Sequence, residues 1–571
     1  MSISIEQFES AVRELASAPD VDWRRTTCGV TRAGREIVAL VNRNACPKED
    51  DRVQVMLVGG LSGNSEDVEI ALRATRFLAI NSNRPRIALT SVPCANPGGL
   101  ALGSGPANGA GGQVDLGYPP AGGFFNHPTS PESRYLWRWI CYQAPDVVIE
   151  VRSGKESFWE SNAAASALQQ ALVAGPATPR DSLIAALGED ARVDPGSIPG
   201  VRLTADSDSL GVELGRFIDL IGDRLLGPSR SRQVIEARES RDPSEVGRDL
   251  ARTNGRTLDP INYTQGVAIS GRLRFALLEA TLIDDVSDIA LLVEPLTADP
   301  GNVLRANPGA PALATVVWAE EMLALTGDDR YGNVLATAMQ VFVSRGRDEP
   351  PFPLDPNFIA EDHFFASAVI GRAARINPDS NTDGYVNALT EFLLKAGIQD
   401  SSGLFRHSRN GPVYWGRGNG FAAMGLAEYL TYIPEKLRRD DREIESKFRR
   451  HMDAVRALQQ PSGMYLQVLD FPGSYQELTA TCMIGYAMAR GIRLGILDGG
   501  FRQSVGRAWR AAAARIDTAG NVTDGCASTG VMDGLQLYLD RPANSGYDDR
   551  TGAMALWFAA EMARLISEEG G

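Results

Sequence analysis

About 240 residues into this chain of 571, the apolar pattern changes period. Before that point, short runs rich in β-branched residues alternate with helical segments. Beyond it strand signals vanish, and helical segments follow one another between Gly, Pro and Asp loops. A chain this long also exceeds what one ordinary core supports. It therefore reads as multidomain, with an N-terminal α/β domain over 1–240 and a C-terminal all-α domain over 241–571. The boundary falls between about Arg241 and Asp259, at the end of a charge-dense, linker-like stretch from Ser229 to Arg256.

In the first half, Met1 to Ala18 reads as an amphipathic helix. Ile37–Val41, Val53–Val58, Arg86–Val92 and Val147–Val151 read as strands, and Ile70–Leu78 as a helix. Alternation of this kind argues for a mainly parallel sheet flanked by helices. Ala163 to Leu187 is Ala-rich and helical in character, Glu189 to Asp208 reads as a loop, and Val212 to Leu226 is helical again. In the second half close to a dozen helical segments succeed one another, from Tyr263–Glu279 to Ala553–Glu568. Several of them carry small residues all round, as helices buried on both faces do.

Composition narrows the function. Hydrophobic residues make up 43% and charged residues 22%, so the chain is globular. A net charge of −14 argues against a nucleic-acid backbone as partner, which needs a basic face. No apolar run approaches the ~18 residues of a membrane span, and Met1 to Gln7 has neither the basic start nor the apolar core of a signal peptide. Six cysteines (Cys28, Cys46, Cys94, Cys141, Cys482, Cys526) lack CxxC spacing and read as reduced thiols, so a cytoplasmic enzyme is expected.

The most chemical stretch is Trp415-Gly416-Arg417-Gly418-Asn419-Gly420-Phe421, which opens into the apolar segment Ala422–Leu430. Glycines ahead of a helix allow close backbone approach, aromatics stack on flat rings, and Arg offers a planar fork to a carboxylate. Together they describe a pocket for something ring-shaped and acidic. A tight interhelical turn with buried aromatics explains the same seven residues.

This run resembles the signature of the unsaturated glucuronyl and rhamnogalacturonyl hydrolases, glycoside hydrolase families 88 and 105. The likeness continues in order through Tyr263-Thr264-Gln265-Gly266-Val267, Leu325–Tyr331, Gly403-Leu404-Phe405-Arg406-His407, Gln467–Glu477 and Gly525–Gly530. It implies an (α/α)6 barrel. It also implies hydration of the C4=C5 enol ether in an unsaturated uronic-acid oligosaccharide, with no metal and no cofactor. The resemblance puts the catalytic acid at Asp362, in Ala360-Glu361-Asp362-His363-Phe364-Phe365-Ala366. There Phe364 and Phe365 would help desolvate the carboxyl and keep it protonated. Read from the residues alone, Asp362 is the N-cap of a helix starting at His363. By the same resemblance His407, Trp415, Arg417 and Phe421 bind the sugar, with Tyr263 at the pocket rim. Asn419, Gln467, Tyr475 and Glu477 support the site, or are polar groups satisfying helix ends. The family's second Asp has no counterpart in Asn302–Gly309, and Asp299 comes too early.

The first half resembles the zinc carboxypeptidase family M14 over Cys28 to Gly154. Gly29–Ile37, Gly59-Gly60-Leu61-Ser62-Gly63-Asn64-Ser65-Glu66, Asn96-Pro97-Gly98-Gly99 and Glu150-Val151-Arg152-Ser153-Gly154 stand where that family has its motifs. The zinc ligands do not carry over. Ser62, Ser65 and Arg152 stand at their positions, and catalytic zinc needs about three His or Glu ligands. A degenerate domain without metal is expected, serving as scaffold, oligomer surface or lid. Three functions follow as alternatives: an unsaturated uronyl hydrolase, a non-catalytic glycan-binding protein built from two degenerate enzymes, and a residual amidohydrolase.

Overall fold

The computed structural model describes residues 3–570 apart from 19–22, 43–51, 82–86, 170–171, 173–174, 176–177, 191, 223–225, 280–282, 347–348, 379 and 438–440. The chain divides into two compact units. One comprises Met1–Ala237 with Phe471–Tyr475, and the other Arg238–Asp470 with Gln476–Gly571.

The first unit is built on seven strands: β1 (Trp23–Val30), β2 (Glu36–Asn42), β3 (Val53–Gly59), β4 (Ile87–Val92), β5 (Val147–Ser153), β6 (Phe158–Ser161) and β7 (Gly200–Ala205). Their order in the sheet is β1-β2-β4-β3-β5-β7-β6. The pairs β3/β4, β3/β5 and β5/β7 are parallel, whereas β1/β2, β2/β4 and β6/β7 are antiparallel. The sheet is thus mixed rather than mainly parallel. The reason is local, because only five residues join β1 to β2, and a parallel crossover needs a dozen or more. The parallel centre reads as continuous apolar runs because it is covered: Leu57, Leu89, Ile149 and Leu203 are fully buried beneath a core that includes the helices Ser65–Asn81 and Leu210–Gly222.

Strands β1, β6 and β7 escape a reading by apolar runs. β1 carries Arg24, Arg25, Thr26 and Thr27 after its first residue, β6 is four residues long, and β7 carries Arg202 in its centre. That guanidinium is tolerated because Glu150 and Glu160 pair with it at 2.9 and 3.2 Å. The helical reading of 163–187 reduces to the short helices Ser166–Gln169 and Leu183–Leu187 and a 3-10 turn at Ala163–Ala165. Arg86 and Cys46 lie outside the described residues, and the other five cysteines are buried.

The second unit begins earlier than a solvated linker allows. Arg230–Glu239 and Pro243–Thr253 are helices, and Val246 and Leu250 of the latter are fully buried in the second unit's core. Asp242 and Glu245 close a reciprocal capping box at its start. The charge density had hidden a two-residue apolar stripe. Six elements then pack in a closed ring: α1 (Tyr263–Glu279), the run 310–326 ending in α2 (Ala319–Thr326), α3 (Asp362–Ile376), α4 (Gly416–Tyr432), α5 (Leu478–Arg493) and α6 (Asp549–Gly570). Each packs on the next and α6 packs back on α1. Strands do occur here, as two two-stranded pairs, Tyr465–Leu466 with Gln476–Glu477 and Val522–Cys526 with Ala543–Gly546.

The glycines of the central run lie inside α4, not ahead of it. A Cβ on Gly416 would sit 2.4 Å from the Leu466 carbonyl oxygen, and one on Gly420 would sit 2.8 Å from the Met483 Cβ. Small residues there let α4 approach α5 and the Tyr465–Leu466 segment, which a helix of ordinary side chains could not do.

Deeper in the ring, buried charges tie these helices together. Arg372 on α3 pairs with Glu428 on α4, both side chains wholly buried. The Tyr486 hydroxyl on α5 donates to the other oxygen of Glu428 at 2.8 Å. Arg274 on α1 donates to Glu321 on α2 at 3.0 Å and lies 3.8 Å over the Trp557 ring on α6. Arg490 on α5 forms a two-pronged pair with Glu561 on α6, at 2.8 and 2.6 Å.

Candidate functional site

Tyr263, Asp362, Trp415 with Arg417, and Glu477 all stand at the N-terminal ends of ring elements, within or just before the first turn. Asp362 is 2% exposed. It opens α3 without capping it, since Glu361 holds the cap position and no side chain bonds the first turn. Its Oδ2 instead accepts the Asp355 N–H at 2.7 Å. Burial pushes this carboxyl well above the usual carboxylate range; the Asp355 N–H works against that, and the Glu361 charge adds to it. Burial thus favours the protonated form of Asp362.

His407 follows Phe405 on a strand-like segment that Asn419 holds. The Asn419 Oδ1 accepts the Phe405 N–H, and its Nδ2 donates to the carbonyls of Phe405 and Trp415, all at 2.8–2.9 Å. One amide thus registers the His407 segment against α4. The imidazole Nε2 lies 3.0 Å from Glu361 Oε1, and Nδ1 lies 2.6 Å from the Tyr538 hydroxyl. The His407 ring centre is 4.5 Å from that of Trp415.

Arg417 is buried, and its Nη1 donates to the Cys526 carbonyl at 3.1 Å. No carboxylate of the described residues lies within 4.0 Å of it. Glu477 orients this clamp at one remove. It caps α5 by accepting the N–H groups of Thr479 and Ala480, and its Oε1 also accepts the Cys526 N–H at 2.8 Å. Gln467 donates to the Tyr538 carbonyl at 2.5 Å, which fixes the residue that contacts His407.

Three expected roles shift. Phe421 and Tyr263 are packed, not open: Phe421 sits 5.6 Å from Tyr263, 6.0 Å from Phe364 and 5.5 Å from Phe365, behind the Arg417 guanidinium. Tyr263 is therefore part of an aromatic wall rather than of a rim, because Phe365 at 5.1 Å covers it. Tyr475 groups with the first unit, where it stacks on Phe125 at 4.5 Å. Asp299 accepts the Asn302 N–H as the cap of Pro300–Ala306.

Four polar atoms of this region make no hydrogen bond to any described residue although they are buried: Glu361 Oε2, Trp415 Nε1, Arg417 Nε and Gln467 Oε1. Each orphan costs roughly 1–3 kcal/mol if left dry. Such atoms on one set of site residues are where water or a polar ligand would pair with the protein. Glu361 and Tyr538 were not picked out from sequence. Glu361 adjoins Asp362, and the adjacency of two carboxylates was a legible signal. Tyr538 follows His407 by 131 residues and gave none.

In the first unit, the positions of the expected zinc ligands are engaged otherwise. The Ser62 hydroxyl donates to Asp67, whose other oxygen accepts from the N–H and hydroxyl of Ser153 at 2.7 and 2.6 Å. Arg152 donates to Glu150 at 2.6 Å. Among the described residues no group of three or more His, Cys, Asp or Glu could hold a metal ion. No helix among them is long and apolar enough to cross a membrane.

Comparison with known proteins places the likeness in the second unit. Residues 375–566 match the model of Glycosyl Hydrolase Family 88. The 24.9 kDa protein in picA locus of Rhizobium radiobacter is 32% identical over 131 residues, which is 20% of this chain and 55% of that protein. The unsaturated 3S-rhamnoglycuronyl hydrolase of an Alteromonas species is 31% identical over 177 residues, 28% of this chain and 42% of that enzyme. The chain thus spans about half the length of these curated relatives. A solved glycoside hydrolase from family 105 of C. acetobutylicum superposes with a TM-score of 0.50 at 16% identity, covering 56% of this chain and 99% of that one. Over 375–566 the chain is similar in sequence to family 88, and a larger share of it has the fold of a family 105 hydrolase.

Proposed function

We propose that this chain is a glycoside hydrolase that removes a 4,5-unsaturated hexuronyl residue from the non-reducing end of lyase-derived oligosaccharides. The observation that carries this reading is a buried carboxyl, Asp362, whose burial favours its protonated form, in one site with a buried guanidinium, Arg417, that has no carboxylate partner among the described residues. Arg417 binds the substrate carboxylate through its free donors, and Trp415 walls the ring. Asp362 protonates the alkene carbon, and water adds at the carbon that bears the ring oxygen. The resulting hemiketal opens to a ketone and a hemiacetal at C1, and the collapse of that hemiacetal to an aldehyde breaks the C1–O bond and releases the linked sugar. The closed ring of six elements agrees with an (α/α)6 barrel whose inner helices present the site, and the Alteromonas relative's name agrees with the substrate class. The first unit we read as a carboxypeptidase-like domain that has lost its zinc ligands, Ser62 and Arg152 standing in their place.

The test is to incubate the protein with lyase products of pectin, rhamnogalacturonan, ulvan and glycosaminoglycans and to follow loss of the ultraviolet absorbance of the conjugated enol carboxylate. Loss with one substrate, reduced at least about 100-fold in Asp362→Asn, is the expected result. A second reading, a glycan-binding protein without turnover, is favoured by the absence of a carboxylate from Asn302–Gly309. Binding of the same oligosaccharides with no absorbance loss, in folded protein, would decide for it.

A further inference from the structure

Glu361 has no task in the reaction as described so far, yet the site fixes it firmly. It is 9% exposed and its Oε1 lies 3.0 Å from His407 Nε2. The Tyr538 hydroxyl, 2.6 Å from His407 Nδ1, also accepts the Met532 N–H at 3.2 Å. One arrangement of protons uses every donor in this chain. The Met532 N–H points at the phenol oxygen, the phenol O–H at Nδ1, and the Nε2–H at Glu361 Oε1. A hydrogen bond received on Oε1 orients the carboxylate and leaves Oε2 buried and unpaired. The titratable and charged groups around it are Asp362, Tyr263, His407, Arg417 and Tyr538. Asp362 is differently placed, because its Oδ2 is already taken by the Asp355 N–H. Two adjacent carboxyls in unlike surroundings are suited to opposite proton-transfer roles.

We propose that Glu361, through Oε2, is the base that takes the proton from the attacking water, so that this site divides acid and base between neighbouring residues. The proposal rests on the enol-ether reading above. In the first step the Asp362 proton forms the new C–H bond at the alkene carbon, drawing the π electrons there. The ring oxygen shares its lone pair with the cationic carbon, water forms the C–O bond to that carbon, and the water proton passes to Glu361. In the second step the Asp362 carboxylate takes the hydroxyl proton of the hemiketal and a C=O bond forms. The bond to the ring oxygen breaks, and that oxygen takes the proton from Glu361. One water has been added and both carboxyls are reset. Glu361 thereby supplies the second carboxylate that Asn302–Gly309 lacks.

The test uses the full chain and whichever unsaturated oligosaccharide the wild type turns over. Glu361→Gln should lower kcat about 100-fold or more, leave KM within about threefold, and remove the acidic limb of the kcat–pH profile. A kcat within threefold of wild type, or a loss of kcat that keeps the acidic limb, overturns the proposal. Should Glu361→Gln fail to fold, Glu361→Asp decides: it keeps the charge but withdraws it by one methylene, so the limb stays while kcat falls at least tenfold, and an unchanged kcat overturns the role. Wild-type inactivity on every substrate overturns the enol-ether reading and this role with it, whereas activity that survives Glu361→Gln overturns the role alone.

Discussion

Removing one charge from inside the ring tests whether the helices that carry the site are held by buried ion pairs. In Arg372→Met the guanidinium that faces Glu428 becomes apolar, while Glu428 stays wholly buried. The substitution also removes a cation 4.1 Å above the Tyr432 ring. Breaking one partner of a buried pair typically costs about 3–5 kcal/mol, since the other charge is left uncompensated. Burial alone would raise the pKa of Glu428, and Arg372, Arg274 and Arg490 together hold it below its usual value. Two of those three cations remain in the variant, and so does the Tyr486 hydroxyl bond, which argues for the lower part of the range, about 3–4 kcal/mol. With an unfolding entropy of roughly 0.7 kcal/mol per kelvin for a unit of this length, Tm falls by roughly 4–6 °C. Calorimetry of Arg372→Met, Glu428→Gln and the double variant forms a thermodynamic cycle. The double variant should recover at least about 2 kcal/mol relative to the sum of the singles, because it leaves no unpaired charge. A cost below about 1 kcal/mol for Arg372→Met, or simple additivity in the cycle, would refute the argument.

Further outcomes are expected. Arg417→Lys replaces a planar fork by a point charge, so KM for the unsaturated oligosaccharide should rise about tenfold or more in steady-state assays while the melting profile stays near wild type. Glu561 is buried, which alone would raise its pKa, but Arg490 and Arg493 outweigh that and bring it down to about 2. Its folded value lies below the unfolded one, so its contribution is present above about pH 4.5 and lost as pH falls toward 2. Urea titrations across that window should show Glu561→Gln losing less stability than wild type on acidification. Asp362 has the opposite sign. Its folded value is raised, so its contribution is complete below the unfolded pKa and lost as pH rises through the folded one. Asp362→Asn should therefore match or exceed wild-type Tm at pH 7–8, with the difference closing toward pH 4.

The sequence by itself determined the kinds of element and the order of the chemistry. Apolar runs marked β2 to β5 because the buried residues of each strand lie next to one another in the chain. Helical period marked α1, α3, α5 and α6 within a few residues, and the order of motifs marked Asp362, His407, Trp415 and Arg417. What depended on residues distant in the chain could not be read from it. β7 with its central Arg202 becomes a strand only because Glu150 and Glu160 face it from neighbouring strands. The glycines of α4 looked like a loop until the Leu466 carbonyl and Met483 supplied the contacts that require them. Tertiary structure alone brought Tyr538 to His407, Cys526 between Glu477 and Arg417, and Glu361 to His407. Hydrogen-bond partners are chosen by position in space, whereas a sequence records only position along the chain.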